Sequence, residues 1–318
     1  SNYELQADAL RFLRGTGFCC SEPVANAEGD FLSVETVPMT DSGAQEGDVN
    51  PEYKLYLIFL LVYIPGDMVS KMKSVPVQFC FDAGVKLAQM DKLLWGFKNV
   101  PDSFKARTGK TEWSLECFPL VLHRLDAVQD EGRRQVVRSV VETFEREVIP
   151  KIGSLRKSLI HGDYSDDNII VQRRPSLFDS GNMSDSDSQY DIMGVIDFTD
   201  MTYSCLVFEV AVAVAFMLYW PVADPASAAA ALLAGFQSVV PLTELEWDVL
   251  YPCVMAHRVA DLVLSLDTHR SQPDNQHVMV TQGGWEHVVA EWGEPGARAR
   301  VEKAWKEACL SYRTLGRA

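Results

Sequence analysis

What is scarce in this chain narrows its function first. The apolar runs LYLIFLLVYI (55–64) and VAVAVAFMLYW (210–220) both stop well short of the roughly 20 residues that a membrane-spanning helix needs, so each is expected in the core. No charged n-region followed by an apolar h-region opens the chain, which argues against a secretory signal. Basic residues are in deficit: 29 Lys and Arg stand against 44 Asp and Glu, a formal net charge of −15. A general nucleic-acid surface or an anionic membrane surface rewards clustered Lys and Arg, so neither partner is expected, whereas a small cationic ligand remains compatible. The seven cysteines are odd in number and show no metal-ligand spacing beyond the adjacent Cys19 and Cys20. That pattern excludes a disulfide framework and fits reduced thiols in the cytoplasm. No internal repeat is found, and 47% hydrophobic with 23% charged residues is ordinary globular composition.

Residues 3–14, YELQADALRFLR, carry Leu5, Leu10, Phe12 and Leu13 at helical spacing, and Gly15 and Gly17 then read as a helix stop rather than a phosphate loop. FLSVETVP (31–38) and KLYLIFLLVYIPG (54–66) are rich in β-branched and aromatic residues and are expected as two strands joined by a long polar connection. Helices are predicted over 76–97 and 130–152. NIIVQRR (168–174) and DIMGVIDF (191–198) read as short strands flanking a Ser/Asp/Gly-rich loop at 175–189. From Ser204 onward the pattern is mostly helical, through segments beginning at Val207, Asp224, Glu246 and Ala297.

One stretch does not fit a bland fold. SLIHGDYSDDNIIV (158–171) sets three aspartates, an asparagine and a histidine between apolar runs, where carboxylates cost several kcal/mol unless a cation or donors compensate. Asn168 follows Asp163 by five residues, and Asp197 ends the second short strand in GVIDFTD. Phosphoryl transfer needs a carboxylate that orients the acceptor hydroxyl and a divalent cation held by hard oxygen ligands. Asp163 suits the first role, and Asn168 with Asp197 the second, since a hairpin of the two strands would bring them together. An EF-hand is excluded: counted from Asp163, position six is Asn168 rather than glycine and position twelve is Arg174 rather than glutamate. Asp166 and Asp167 read as a solvated acidic turn, and no D-x-D motif at a strand end supports a phosphohydrolase. His161 is expected to orient the loop by hydrogen bonds. Asp200 is placed either to bind a substrate ammonium or to cap the next helix. Glu209 sits in a helix first turn, where the macrodipole favours it and a structural role comes ahead of its candidacy for a substrate amine, and Asp261 near an apolar helix face is a further amine candidate; Trp285 and His287 could line an acceptor pocket, with a buried tryptophan and satisfied indole as the default.

Taken together, LIHGDYSDDNIIV, GVIDFTDMTYSCLVFEVAVAVAFM, LVYIPGDMV, GVKLAQMDKLL and PDNQHVMVTQGGW resemble the aminoglycoside phosphotransferase and choline kinase superfamily, from about Tyr3 to the C-terminus. Asp91, where many relatives have histidine, and DFTDM (197–201) are similar to the branch that acts on hydroxylysine. The resemblance implies an α+β, protein-kinase-like two-lobed fold with a truncated N-terminal lobe (1–64) ending in the hinge strand and a mainly helical C-terminal lobe (65–318). It implies Asp163 as catalytic base, supported by His161, with Asn168 and Asp197 as Mg²⁺ ligands and the backbone of Val62, Tyr63 and Ile64 as the hinge that meets the nucleotide base. The family's Gly-rich loop and phosphate-touching lysine are not found ahead of residue 4, and Glu4 falls where a glutamate would pair with that lysine. The implied reaction transfers the γ-phosphoryl group of GTP, or ATP, to the hydroxyl of 5-hydroxy-L-lysine. Another amino alcohol as acceptor, or a catalytically silent scaffold, are the alternatives.

Overall fold

The computed structural model of the chain describes residues 2–38, 53–106, 112–174 and 190–315, so the polar connection expected at 39–53 lies almost wholly, and the loop at 175–189 entirely, outside the described residues. Helix α1 (Asn2–Gly15) ends where Gly17 takes a φ of 84° and the Phe18 amide donates to the Leu13 carbonyl at 3.0 Å, the left-handed stop that the two glycines announced. Strands β1 (Ser33–Pro38) and β2 (Tyr53–Ile58) form an antiparallel ribbon with Ser33 opposite Ile58. The chain then runs through β3 (Asp67–Met68) into α2 (Val77–Gly96), the short α3 (Asp102–Lys105), a 3₁₀ segment (Leu115–Ala127) and α4 (Glu131–Glu147). Strands β4 (Lys157–Ile160), β5 (Ile169–Arg173), β6 (Tyr190–Val195) and β7 (Thr202–Cys205) follow, and then α5 (Leu206–Phe216), α6 (Pro225–Val239), α7 (Glu244–Ser271), α8 (Trp285–Gly293) and α9 (Ala297–Leu315). Small sheets beside a dominant helical body make this the expected α+β class.

Two sheets hold the functional loops. In one, β5 lies between β3 and β6, both antiparallel to it, so β5 and β6 form the hairpin expected from NIIVQRR and DIMGVIDF. In the other, β4 pairs antiparallel with β7, Leu159 opposite Tyr203. This second pair is absent from the expectations, because four-residue strands separated by more than forty residues carry no local signature.

The helical body packs tightly around α7. Its N-terminus is a capping box: the Thr243 hydroxyl accepts from the Glu246 amide at 3.3 Å and the Glu246 carboxylate accepts from the Thr243 amide at 2.8 Å. Arg156, just before β4, also donates to that buried Glu246, from Nε at 2.8 Å, and so ties the sheet to the helix. Helices α2 and α6 cross in backbone contact. A Cβ on Gly84 would stand 1.9 Å from the Leu232 carbonyl oxygen, and one on Gly235 would stand 2.0 Å from that of Phe81. Among the described residues α7 is the one helix long and apolar enough to cross a membrane, and it is instead the buried centre of the helical body.

One expectation needs correction here. The run at 55–64 is largely outside the core: β2 is exposed along its whole length, with Leu55 69% accessible, and Tyr63 beyond it is 77% accessible, while Phe59 and Leu61 are partly buried against the core. A two-stranded ribbon can bury a face only against a third element, and among the described residues none covers it. The run at 210–220 is core as expected, with residues 206–215 of α5 all buried.

Candidate active site

A cavity of about 950 Å³ opens between the loops that follow β4 and β6, and Asp163, Asn168, Asp197, Asp200 and Asp261 all line it. The loop after β4 is held in shape by groups behind it. His161 is fully buried. Its Nε2 donates to the Ile196 carbonyl at 2.8 Å while its Nδ1 accepts from the Asp163 amide at 3.2 Å, which fixes the tautomer and aims the loop. Burial holds this imidazole below its ordinary pKa, so it positions Asp163 as a neutral ring. Phe198 packs edge-on against it, centroids 4.6 Å apart. Gly162 adopts a φ of 85°, and a Cβ there would meet the Asp200 carbonyl oxygen at 2.8 Å, so the turn into Asp163 requires glycine.

Asp163 and Asn168 act as a unit. The Asn168 amide nitrogen donates to the Asp163 carboxylate at 2.7 Å and to its backbone carbonyl at 2.9 Å. Burial pushes the Asp163 pKa up to about 6, the Asn168 bond pulls it back, and the neighbouring Asp197 and Asp167 push it up again. With its nitrogen committed to Asp163, Asn168 has its side-chain oxygen as the group for a hard cation. Asp197 has a φ of 57°, the one positive φ outside glycine among the described residues. Its Oδ1 accepts from the Thr199 amide at 3.2 Å and hydroxyl at 2.5 Å, which holds the carboxylate in this strained turn. The hairpin register brings Asn168 and Asp197 to one end: Ile169 lies opposite Val195, and the Ile196 amide donates to the Asn168 carbonyl at 3.0 Å.

Among the described residues no three of His, Cys, Asp and Glu converge on one point, so Asn168 and Asp197 stand as a two-oxygen set. That suits Mg²⁺, which takes one or two protein oxygens and fills its octahedron from substrate phosphates and water. Asp200 is exposed at the cavity rim, and partial dehydration there, together with the Asp163 and Asp197 carboxylates, raises its pKa. Asp261 reaches the cavity from α7; burial raises its pKa to about 6.

Several expectations fall differently. Glu209 does not line the cavity. It is completely buried behind the catalytic loop, where its carboxyl accepts from the Gly162 amide at 3.1 Å, so it shapes the turn and cannot reach a substrate. Trp285 takes its default reading, buried with its indole donating to Gln282 at 3.0 Å, while His287 is exposed; neither lines the cavity. Val62, Tyr63 and Ile64 also lie outside its lining, and the Val62 amide donates to the Glu22 carbonyl at 2.8 Å. Asp166 and Asp167 are half-buried rather than solvated: the Ser70 hydroxyl donates to Asp167 at 2.5 Å and the Ser70 amide to the Asp166 carbonyl at 3.2 Å. Sequence reasoning missed Ser70, Tyr219, His257 and Thr281, all of which line the cavity. A period-four polar stripe at 257, 261 and 265 on an otherwise apolar helix is the signal that was available.

Asp163 locked by Asn168, in one cavity with Asp197, is an arrangement that suits phosphoryl transfer to an alcohol group of a small molecule. The chain belongs to the phosphotransferase enzyme family (APH), whose pattern matches residues 3–253. It is 32% identical to the hydroxylysine kinase of Bos taurus over 97% of this chain and 77% of that protein. The Xenopus laevis hydroxylysine kinase is 30% identical, over 97% and 78%. Among solved structures, a microcompartment-associated aminopropanol kinase superposes with a TM-score of 0.54 at 17% identity, covering 99% of this chain and 81% of that one. An amicoumacin kinase, solved with AMP-PNP and Ca²⁺, superposes at 0.52 and 14% identity, over 98% and 78%. These two share the fold.

Proposed function

We propose that the protein transfers the γ-phosphoryl group of GTP to the 5-hydroxyl of free 5-hydroxy-L-lysine. The observation that carries this reading is the convergence of Asp163, Asn168 and Asp197 on one cavity that also holds two further carboxylates, Asp200 and Asp261. The resemblance to hydroxylysine kinases over nearly the whole chain supports the choice of acceptor.

Asp163 accepts the hydrogen bond of the acceptor hydroxyl and holds its oxygen in line with the γ-phosphorus. As the new oxygen–phosphorus bond forms, the bond from the γ-phosphorus to the bridging oxygen breaks, the nucleoside diphosphate leaves, and the hydroxyl proton passes to the Asp163 carboxylate. His161 holds the Asp163 backbone and Asn168 its carboxylate, so little reorganisation is required at the moment of transfer. Asn168 and Asp197 would hold Mg²⁺, which when bound would neutralise charge on the phosphate oxygens. In hydroxylysine the side-chain ammonium sits on the carbon next to the reacting one, and Asp200, close enough to Asp163 for their charges to interact, receives it.

The test is nucleoside diphosphate release with GTP, Mg²⁺ and hydroxylysine, beside choline as a control acceptor. Hydroxylysine-dependent release that falls by about 10²- to 10⁴-fold in Asp163→Asn is expected. Preference for choline, or release untouched by Asp163→Asn, refutes the assignment.

A further inference from the structure

On the α7 wall of the cavity, two buried polar side chains carry atoms with no hydrogen-bond partner. His257 is 6% exposed and Asp261 8% exposed, and both line the cavity. Neither ring nitrogen of His257 makes a hydrogen bond, and neither does Oδ2 of Asp261. Three unsatisfied atoms within one turn of a helix are an unusual burden, since each costs on the order of a hydrogen bond or more. The two side chains are four residues apart and therefore share a face of α7, with Ser265 one turn further on. Phe216 stacks edge-on against His257, centroids 5.0 Å apart, and fixes the plane of the ring. Tyr219 and Thr281 flank the Asp261 carboxyl and partly offset the effect of its burial. Next to His257, the guanidinium of Arg258 adds positive potential while it is itself tied to Glu291 at 3.0 Å.

An anionic oxygen and an imidazole N–H one helical turn apart, beside Phe216, Tyr219 and Thr281 on the cavity wall, complement a ligand that carries an ammonium and a carboxylate on one carbon. We infer that Asp261 and His257 form a receptor for the α-amino-acid head of the acceptor, Asp261 taking the α-ammonium and His257 donating to the α-carboxylate. The inference rests on the proposed hydroxylysine reading and deepens it. Three carbon–carbon bonds of about 1.5 Å each separate the α-carbon of hydroxylysine from the carbon bearing the hydroxyl. Asp261 is near enough to Asp163 for their charges to interact, so the acceptor is placed with its reacting end at Asp163 and Asp200 and its head at α7. Asp261 and His257 are then what distinguishes a free hydroxylated amino acid from a simple amino alcohol.

The probes are L-lysine, which has both ends and no hydroxyl to phosphorylate, N-α-acetyl-L-lysine amide, whose head is blocked, and n-pentylamine, which lacks the head. Calorimetric titration of the wild-type chain is expected to show binding of lysine and loss of about 10- to 100-fold in affinity for the other two. Asp261→Asn and His257→Leu should weaken lysine by a similar factor and leave pentylamine unchanged, and His257→Gln, which keeps a donor, should recover part of the loss. In turnover, the same variants should lower kcat/KM for hydroxylysine while leaving that for 1-amino-2-propanol unchanged. Equal affinity of the wild type for lysine and its head-blocked form, or equal losses for both acceptors in the variants, overturns the inference; the wild-type panel decides the matter even if a variant does not fold. Lysine binding that depends on Asp261 in a chain that phosphorylates nothing would sustain the head receptor and reject the kinase reading. Hydroxylysine turnover with no dependence on Asp261 or His257 would do the reverse.

Discussion

Removing the charge of Asp91 should make the protein more stable at alkaline pH. Asp91 on α2 is completely buried and neither carboxyl oxygen has a hydrogen-bond partner. Burial raises its pKa well above the ordinary value, and the Glu209 carboxyl, itself fully buried behind the catalytic loop and raised chiefly by burial, pushes it further. Both groups thus hold protons in the folded state that the unfolded chain gives up near pH 4. Above about pH 4 the folded state binds more protons, so stability falls as pH rises through neutrality. Once both are ionised, an uncompensated charge in a dry site costs on the order of 3 kcal/mol. Asp91→Asn keeps the shape and a polar group of similar cost but cannot ionise. Near pH 4 its melting temperature should match the wild type; near pH 9 it should melt higher by roughly 6 °C, at about 2 °C per kcal/mol for a chain of this length. Asp163, Asp166 and Asp261, also raised by burial, remain in both proteins and cancel in the difference. Thermal melts of the two proteins from pH 4 to pH 9 provide the comparison. Parallel pH profiles, or a variant that melts lower throughout, would show that Asp91 carries no buried-charge penalty.

Gly162→Ala places a Cβ 2.8 Å from the Asp200 carbonyl oxygen at a φ of 85°, a strain of about 1–2 kcal/mol; kcat should fall more than tenfold, because relief of the strain moves Asp163, while the melting temperature drops only a few degrees. Arg156→Ala strands the buried Glu246 carboxylate and should cost about 3 kcal/mol by urea denaturation, with Arg156→Lys restoring only part, since a lysine cannot reproduce the two-pronged contact.

Much of the reaction centre is local in the chain. His161, Gly162, Asp163 and Asn168 lie on one eight-residue turn, and Asp197 follows the strand that pairs with the next one, so residue type and spacing were enough to single them out as a group that the fold brings to one cavity. The long helices were legible for the same reason: apolar periodicity and end signals such as the Asp130 and Asp224 caps are properties of contiguous residues. Tertiary structure alone decided the rest. Nothing in the neighbourhood of Glu209 tells whether its helix turns that carboxyl toward a substrate or under the Gly162 amide 47 residues earlier. The exposure of β2 was equally hidden, because an apolar strand reads as core whether or not an element lies over it. So was the pairing of Asp261 and His257 with a cavity whose other wall is the loop after β4: α7 is apolar on nearly every side, and its polar stripe acquires meaning only from what packs opposite. A short-range pattern specifies which groups can do chemistry; which of them share a space depends on long-range packing, and that information is spread over the whole chain.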